Sequence, residues 1–184
     1  MSDLASPVPP AQTAGSESGP KRPSECGQIG PEAVAQTAGG ESRPKRPESV
    51  LVVIFTRGGE LLLLRRTWPK DFWQSVTGSL RRGEQPRDAA VREVREETGI
   101  EARGLIDLAW TQRFSIPYEW RGRYGPGVHY NREHWFALPL AHRRLVHLQP
   151  REHSAYQWLP AARAAQLASS WTNRLAIYRL CGWH

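Results

Sequence analysis

The chain has 184 residues, a formal net charge of +7 and 39% hydrophobic residues, enough for one compact domain and a tail. No apolar run approaches the roughly 20 residues that span a bilayer, Met1–Pro10 has no apolar signal core, and Cys26 and Cys181 alone make neither a disulfide framework nor a metal cluster. Membrane, secreted and cysteine-metal classes are set aside, and a soluble cytoplasmic protein is expected.

Residues 1–49 hold 5 Lys+Arg against 6 Asp+Glu, have no aromatic residue and carry 8 of the 15 Pro. Within them Ala11–Pro23 recurs at Ala35–Pro47, with 11 of 13 positions identical. Such a segment cannot bury enough surface to offset its ordering entropy. A disordered, repeat-containing tail is therefore expected over 1–44, best explained as a small tandem duplication. The alternative is a linear binding motif around Lys-Arg-Pro. Residues 50–184 carry 20 Lys+Arg against 12 Asp+Glu and all 17 aromatics. That excess suits an anionic ligand.

Val50–Phe55 is a continuous apolar run rich in β-branched residues and predicts a buried strand. Thr56-Arg57-Gly58-Gly59 supplies a turn, and Glu60–Arg66 a returning strand, so a hairpin is expected. After a turn at Trp68–Asp71, Phe72–Thr77 predicts a short strand ended by Gly78. Gln85–Thr98 predicts a helix, with Pro86 in its first turn and Gly99 as its stop. Leu105–Ile116 and His134–Leu140 predict further strands, and Leu145–Leu148 and Tyr156–Leu159 short edge strands. Pro160–Leu167 and Thr172–Leu180 predict closing helices. The order is that of a mixed α/β sandwich, without regular βαβ alternation.

The chemistry concentrates in Gly78–Ile100. About 100° per residue places Glu96 and Glu97 within about 60° of Glu93, so three carboxylates share one helical face. An apolar stripe of Ala90, Val91 and Val94 lies beside them, and Ala89 is expected to leave room over the acids. Clustered like charges repel, and a divalent cation reverses that cost. Hard oxygen ligands suit Mg2+, which shares its remaining positions with water and substrate phosphates. Arg92 flanks Glu96. Gly78 and Gly83 suggest a fixed loop that aims the helix.

Gly78, Glu84 and Arg92-Glu93-Val94-Arg95-Glu96-Glu97-Thr98-Gly99-Ile100 stand at the spacing of a complete Nudix box, and the chain is identified as resembling the Nudix hydrolase family. Further segments resemble its dihydroneopterin triphosphate pyrophosphatase subfamily. They include Lys45-Arg46-Pro47, Leu64-Arg65-Arg66, Asp71–Gly78, Tyr124–Val128, Glu152-His153 and Ser170–Arg174. The resemblance implies the Nudix fold, an α/β/α sandwich with a mixed sheet, over a domain spanning 45–184. It implies Mg2+-dependent hydrolysis of 7,8-dihydroneopterin 3′-triphosphate to the monophosphate and pyrophosphate, in folate biosynthesis, with Mn2+ able to substitute.

Residue by residue, the resemblance implies Glu93, Glu97 and Glu152 as metal ligands and Lys45, Arg65, Thr77 and Ser170 as substrate contacts. Arg92, Glu96, Glu97 and Glu152 are the catalytic candidates. The general base stays open between Glu96, Glu152 and the metals alone, and the attacked phosphorus stays open too. His153 reads as structural rather than as a base. Trp73, Trp110, Trp120 and Trp135 are candidates to stack on a flat heterocycle, and Phe114–Gly122 is a candidate lining for it. The expected partner is a small-molecule triphosphate, with no nucleic acid or membrane; the oligomeric state stays open between monomer and homodimer. Two other readings compete: a Nudix hydrolase of (d)NTPs or oxidised nucleotides, and a non-catalytic nucleotide- or nucleic-acid-binding Nudix module.

Overall fold

The computed structural model describes residues 44–182. Apart from Pro44, the expected 1–44 tail lies outside the described residues.

The elements run β1 (Glu48–Thr56), β2 (Glu60–Arg66), β3 (Trp73–Gln74), β4 (Val76–Ser79), α1 (Pro86–Thr98), β5 (Ile106–Ser115), a 3-10 turn (Tyr118–Arg123), β6 (Tyr130–Leu140), β7 (His153–Pro160), α2 (Ala161–Leu167) and α3 (Trp171–Leu180). All seven strands join one mixed sheet with the path β3-β2-β1-β6-β5; β4 pairs with β1 and β7 with β2. β1 and β6 pair in parallel over nine residues, from Glu48 opposite Arg132 to Thr56 opposite Leu140. Alternation along β1 sends its side chains into two cores. Val50, Val52 and Ile54 pack with Ala90 and Val94 of α1. Leu51 and Val53 pack with Ala164 and Ala165 of α2 and Ala176 and Ile177 of α3. This double burial is why the run carries no polar alternation, and it makes the molecule the expected α/β/α sandwich.

Three strand expectations are corrected. The β1–β2 hairpin exists but pairs only at Phe55 and Leu61, beside its turn. The strands then splay. β4 fills the gap along β1 and β3 along β2. Gly78 accordingly does not end a strand: it sits within β4, opposite Val50. Leu145–Leu148 forms no strand. Val146 instead packs into the α1-side core.

α1 begins with Gln85 as N-cap and Pro86 in its first turn, and ends at Gly99, whose φ of 69° is the left-handed conformation that favours glycine. Ala89 does not open space over the acidic face; it is fully buried in the α1-side core. The helix is seated through Gly78. A Cβ on Gly78 would lie 1.8 Å from Glu93 Cδ. Gly78→Ala is therefore expected to displace the Glu93 carboxylate, lowering kcat about a hundredfold, with a stability loss of roughly 1–3 kcal/mol from overpacking. Turnover and urea unfolding check the two effects separately.

Candidate active site

A cleft of about 600 Å³ opens where β1 and β2 splay. α1 presents Glu93 and Glu96 to it, β4 presents Thr77 and Gly78, and the turn before β7 presents Glu152. The acids differ sharply in environment. Glu97 is only 2% exposed, and neither carboxylate oxygen has a hydrogen-bond partner of normal geometry. Burial pushes its carboxyl well above the ordinary value, and the charges of Glu93 and Glu152 push it further; the Thr77 amide and Arg66 offset part of this. Glu93 is raised as well, first by burial, against the lowering effect of Arg92. Glu96 is the most open of Glu93, Glu96 and Glu97, with a side chain 45% exposed.

Arg92 ties these groups together. Its guanidinium donates to Glu84 Oε1 at 2.8 Å, Glu93 Oε1 at 2.6 Å, Glu96 Oε2 at 3.1 Å and the Ser79 carbonyl at 3.2 Å. The Glu84 carboxyl is held down at about 2, chiefly by that hydrogen bonding. Arg92 spans the loop and the helix, and so fixes where Glu93 stands. Arg46 braces the same loop through the Arg81 and Glu84 carbonyls, at 3.1 Å and 3.2 Å.

Glu97, Glu152 and His153 form one potential ligand group, with an atom of each within 4.8 Å of the others. His153 is 1% exposed, and both ring nitrogens lack partners. Burial, assisted by Arg66, lowers it to about 4, so it is neutral and able to offer a lone pair. An orphaned buried carboxylate, two neighbouring acids and a neutral imidazole form a donor set that fits a divalent cation. The sequence reading treats His153 as structural; its position beside Glu152 was the available signal.

Lys45 lines the cleft, and its backbone bridges to Tyr124. Thr77 lines it while its hydroxyl accepts from Gln74 Nε2 at 3.0 Å. Ser170 lines it and also caps α3, accepting from the Asn173 amide at 3.1 Å. Arg65 is not brought to the cleft: its guanidinium lies 5.9 Å over the Trp73 ring, and Nε donates to Ser154 at 3.0 Å. Arg66 lines the cleft in its place. The physical reason is alternation. Leu62 and Leu64 face α1, so Arg66 shares their face and Arg65 takes the other. The same alternation was available from the sequence.

Among the tryptophans, Trp135 and Trp73 are core residues. Trp110 packs edge-on against Trp135, with centroids 6.3 Å apart. Trp120 lines the cleft, as does the unanticipated Trp171. Two unanticipated polar residues on β6 also line it, Asn131 and Glu133, at 3% and 4% exposure. Glu133 is raised to about 7 by burial, against hydrogen bonds from Trp135 and Thr172. The folded chain therefore keeps a proton there that the unfolded chain loses above about 4.5. That contribution to stability is full below about 4.5 and lost as pH rises through about 7. Relative to Glu133→Gln, the native chain should lose stability across this window; urea midpoints at pH 5 and pH 8 measure it.

The family model described as NUDIX domain matches residues 45–181. A dihydroneopterin triphosphate diphosphatase of Escherichia coli (strain K12) is 49% identical over 134 residues, covering 70% of this chain and 88% of that protein. One of Haemophilus influenzae is 34% identical over 135 residues, covering 71% of this chain and 84% of that protein. The structure of the E. coli dihydroneopterin triphosphate pyrophosphohydrolase superposes with a TM-score of 0.70 at 46% identity, over 74% of this chain and 96% of that one.

Proposed function

The chain belongs to the Nudix hydrolase family, and from that membership we propose that it hydrolyses 7,8-dihydroneopterin 3′-triphosphate to dihydroneopterin monophosphate and pyrophosphate. Its 49% identity to a dihydroneopterin triphosphate diphosphatase supports this substrate. The observation that carries the chemistry is the buried, unpartnered Glu97 carboxylate beside Glu93, Glu152 and His153. We assign Glu93, Glu97 and Glu152 as ligands of Mg2+, with Mn2+ able to substitute. The bound cation would neutralise phosphate charge and activate water.

The chain's own residues do the rest. Lys45, Arg66 and Arg123 line the cleft, and none of the ion pairs found among the described residues engages them. Arg66 Nε already donates to the Trp68 carbonyl at 3.0 Å, but all three cations keep donors for charge-assisted hydrogen bonds to phosphate oxygens, with Thr77 and Ser170 adding hydroxyls. Arg65 braces the strand behind Arg66. Arg92 is a positioning residue that orients Glu93. Glu96 is held by Arg81 at 2.9 Å and Arg92 at 3.1 Å, whereas among the described residues no ion pair holds Glu152, making it the freer proton acceptor. Water adds to one phosphorus of the α–β anhydride and the bridging P–O bond to that phosphorus breaks; the electron pair leaves with pyrophosphate if the α-phosphorus is attacked and with the monophosphate if the β-phosphorus is. Addition at either phosphorus gives the same products, and labelled water distinguishes them.

The described helices include none long and apolar enough to cross a membrane, and a cytoplasmic enzyme with its domain over 45–184 fits this role. The test is competition of dihydroneopterin triphosphate against dATP and 8-oxo-dGTP with Mg2+, products resolved by phosphorus NMR. Pyrophosphate from the pterin at the highest kcat/KM is expected; faster turnover of a deoxynucleotide would overturn the substrate.

A further inference from the structure

The phosphate chemistry leaves one wall of the cleft unused. It is built on β6, on the sheet face toward α3. Glu133 lies two residues before Trp135 and shares its face; Trp135 packs in the α2/α3-side core. Trp135 Nε1 donates to Glu133 Oε2 at 3.0 Å. Two residues earlier, Asn131 Nδ2 donates to Ser49 Oγ at 2.6 Å, while Asn131 Oδ1 is buried with no partner. In the 3-10 turn, Trp120 Nε1 is also buried with no partner. All three residues line the same cleft.

Buried polar groups are normally satisfied, and orphaned ones call for an explanation. Here the orphans belong to residues that line the same cleft as a carboxylate with further acceptor capacity. The cleft lining thus includes two acceptors on β6, Glu133 and Asn131 Oδ1, and one donor from the 3-10 turn, the Trp120 N–H. The 2-amino-4-oxopyrimidine edge of a pterin or guanine offers the complement: a ring N–H, an exocyclic amino group and a carbonyl. An adenine edge presents a ring acceptor where that N–H would be, against the carboxylate.

We propose that Glu133 is the specificity residue of this cleft, accepting hydrogen bonds from the ring N–H and 2-amino group of a 2-amino-4-oxopyrimidine heterocycle. Asn131 Oδ1 and the Trp120 N–H supply the flanking acceptor and donor. The inference rests on the triphosphate-hydrolase reading above and deepens it from reaction class to heterocycle recognition. A site built to hydrogen-bond a donor discriminates against an analogue lacking it, because its own buried acceptor is then left unpaired.

GTP and ITP test this, since they differ only in the 2-amino group. At about pH 8.5, where Glu133 is ionised, the native protein should turn over GTP with a kcat/KM at least about tenfold above ITP. In Glu133→Gln that ratio should collapse to within about threefold, because the side-chain amide turns a donor toward the substrate's donors. The loss on dihydroneopterin triphosphate should fall in KM more than in kcat. A native ratio near one overturns the proposal, and so does a Glu133→Gln protein that loses GTP and ITP equally, as a purely structural role would require. The native ratio needs no substitution, so misfolding of the variant leaves it decisive. Calorimetric binding of GTP against ITP reads the same contrast should neither be hydrolysed. If GTP outruns dihydroneopterin triphosphate, the substrate reading falls while the GTP-to-ITP ratio still decides the role of Glu133.

Discussion

Glu97→Gln is expected to lower kcat by on the order of a thousandfold at saturating Mg2+ while making the cation-free protein more stable. Both effects come from one carboxylate. It is fully buried, has no side-chain partner and at most a weak contact from the Thr77 amide, and faces the charges of Glu93 and Glu152. Its raised carboxyl means that the folded chain holds a proton the unfolded chain releases above about 4.5, so its contribution is lost as pH rises. The amide of Gln removes that dependence and the mutual repulsion. In cation-free buffer at pH 8 the melting temperature should rise by roughly 3–6 °C, about 1–2 kcal/mol for a domain of this size. Adding Mg2+ should stabilise the native chain by mass action and the variant much less. Melting curves with and without Mg2+, beside turnover, make the test. Near-native kcat would remove Glu97 from the metal site.

Arg92→Met should have the opposite effect on stability and be the most destabilising of the substitutions considered. The guanidinium side chain is 15% exposed, and its partners Glu84 and Glu93 are 13% and 12% exposed. Removing the cation leaves the Glu93 carboxylate and the Ser79 carbonyl without their Arg92 donor, and Glu84 with the Arg81 amide alone. Breaking a largely buried pair in this way costs about 3 kcal/mol, or roughly 10 °C in melting temperature. The cost has a pH signature. Glu84 is depressed to about 2, first by its hydrogen bond with Arg92. Its stabilisation is therefore full above about 4.5 and lost as pH falls through about 2. The difference between native and variant should shrink as pH falls from 5 toward 2. A gap that stays constant over that range would show that Arg92 acts by packing alone. Because Arg92 also positions Glu93, kcat should fall with stability, and Arg92→Lys should restore only part of either, since an ammonium cannot reproduce the fork of contacts.

Arg92 also shows where sequence reading stops. Its neighbour on the helix, Glu96, was expected one turn away, and that contact exists at 3.1 Å. The contact with Glu84 depends on how the loop after Leu80 folds back, which helical periodicity does not encode. Arg65 and Arg66 make the opposite case. The β2 alternation was legible, and only its phase against Leu62 and Leu64 had to be followed to place Arg66 on the cleft.

By itself, the sequence determined what is local. Alternating burial, caps, turn residues and the spacing of Gly78, Glu84, Glu93 and Glu97 specify the strands, α1 and its acidic face, because each depends on neighbours within a turn or two. The tertiary structure alone decided what depends on distant pairing. Parallel β1–β6 pairing brings Asn131 to Ser49 across 82 positions of chain. The splayed hairpin admits β4, so that Glu93 can lie over Gly78, and the turn before β7 delivers Glu152 and His153 to Glu97. Local rules say which face of an element is polar; only the packing of one element against another says which polar faces meet, and the site lies where they do.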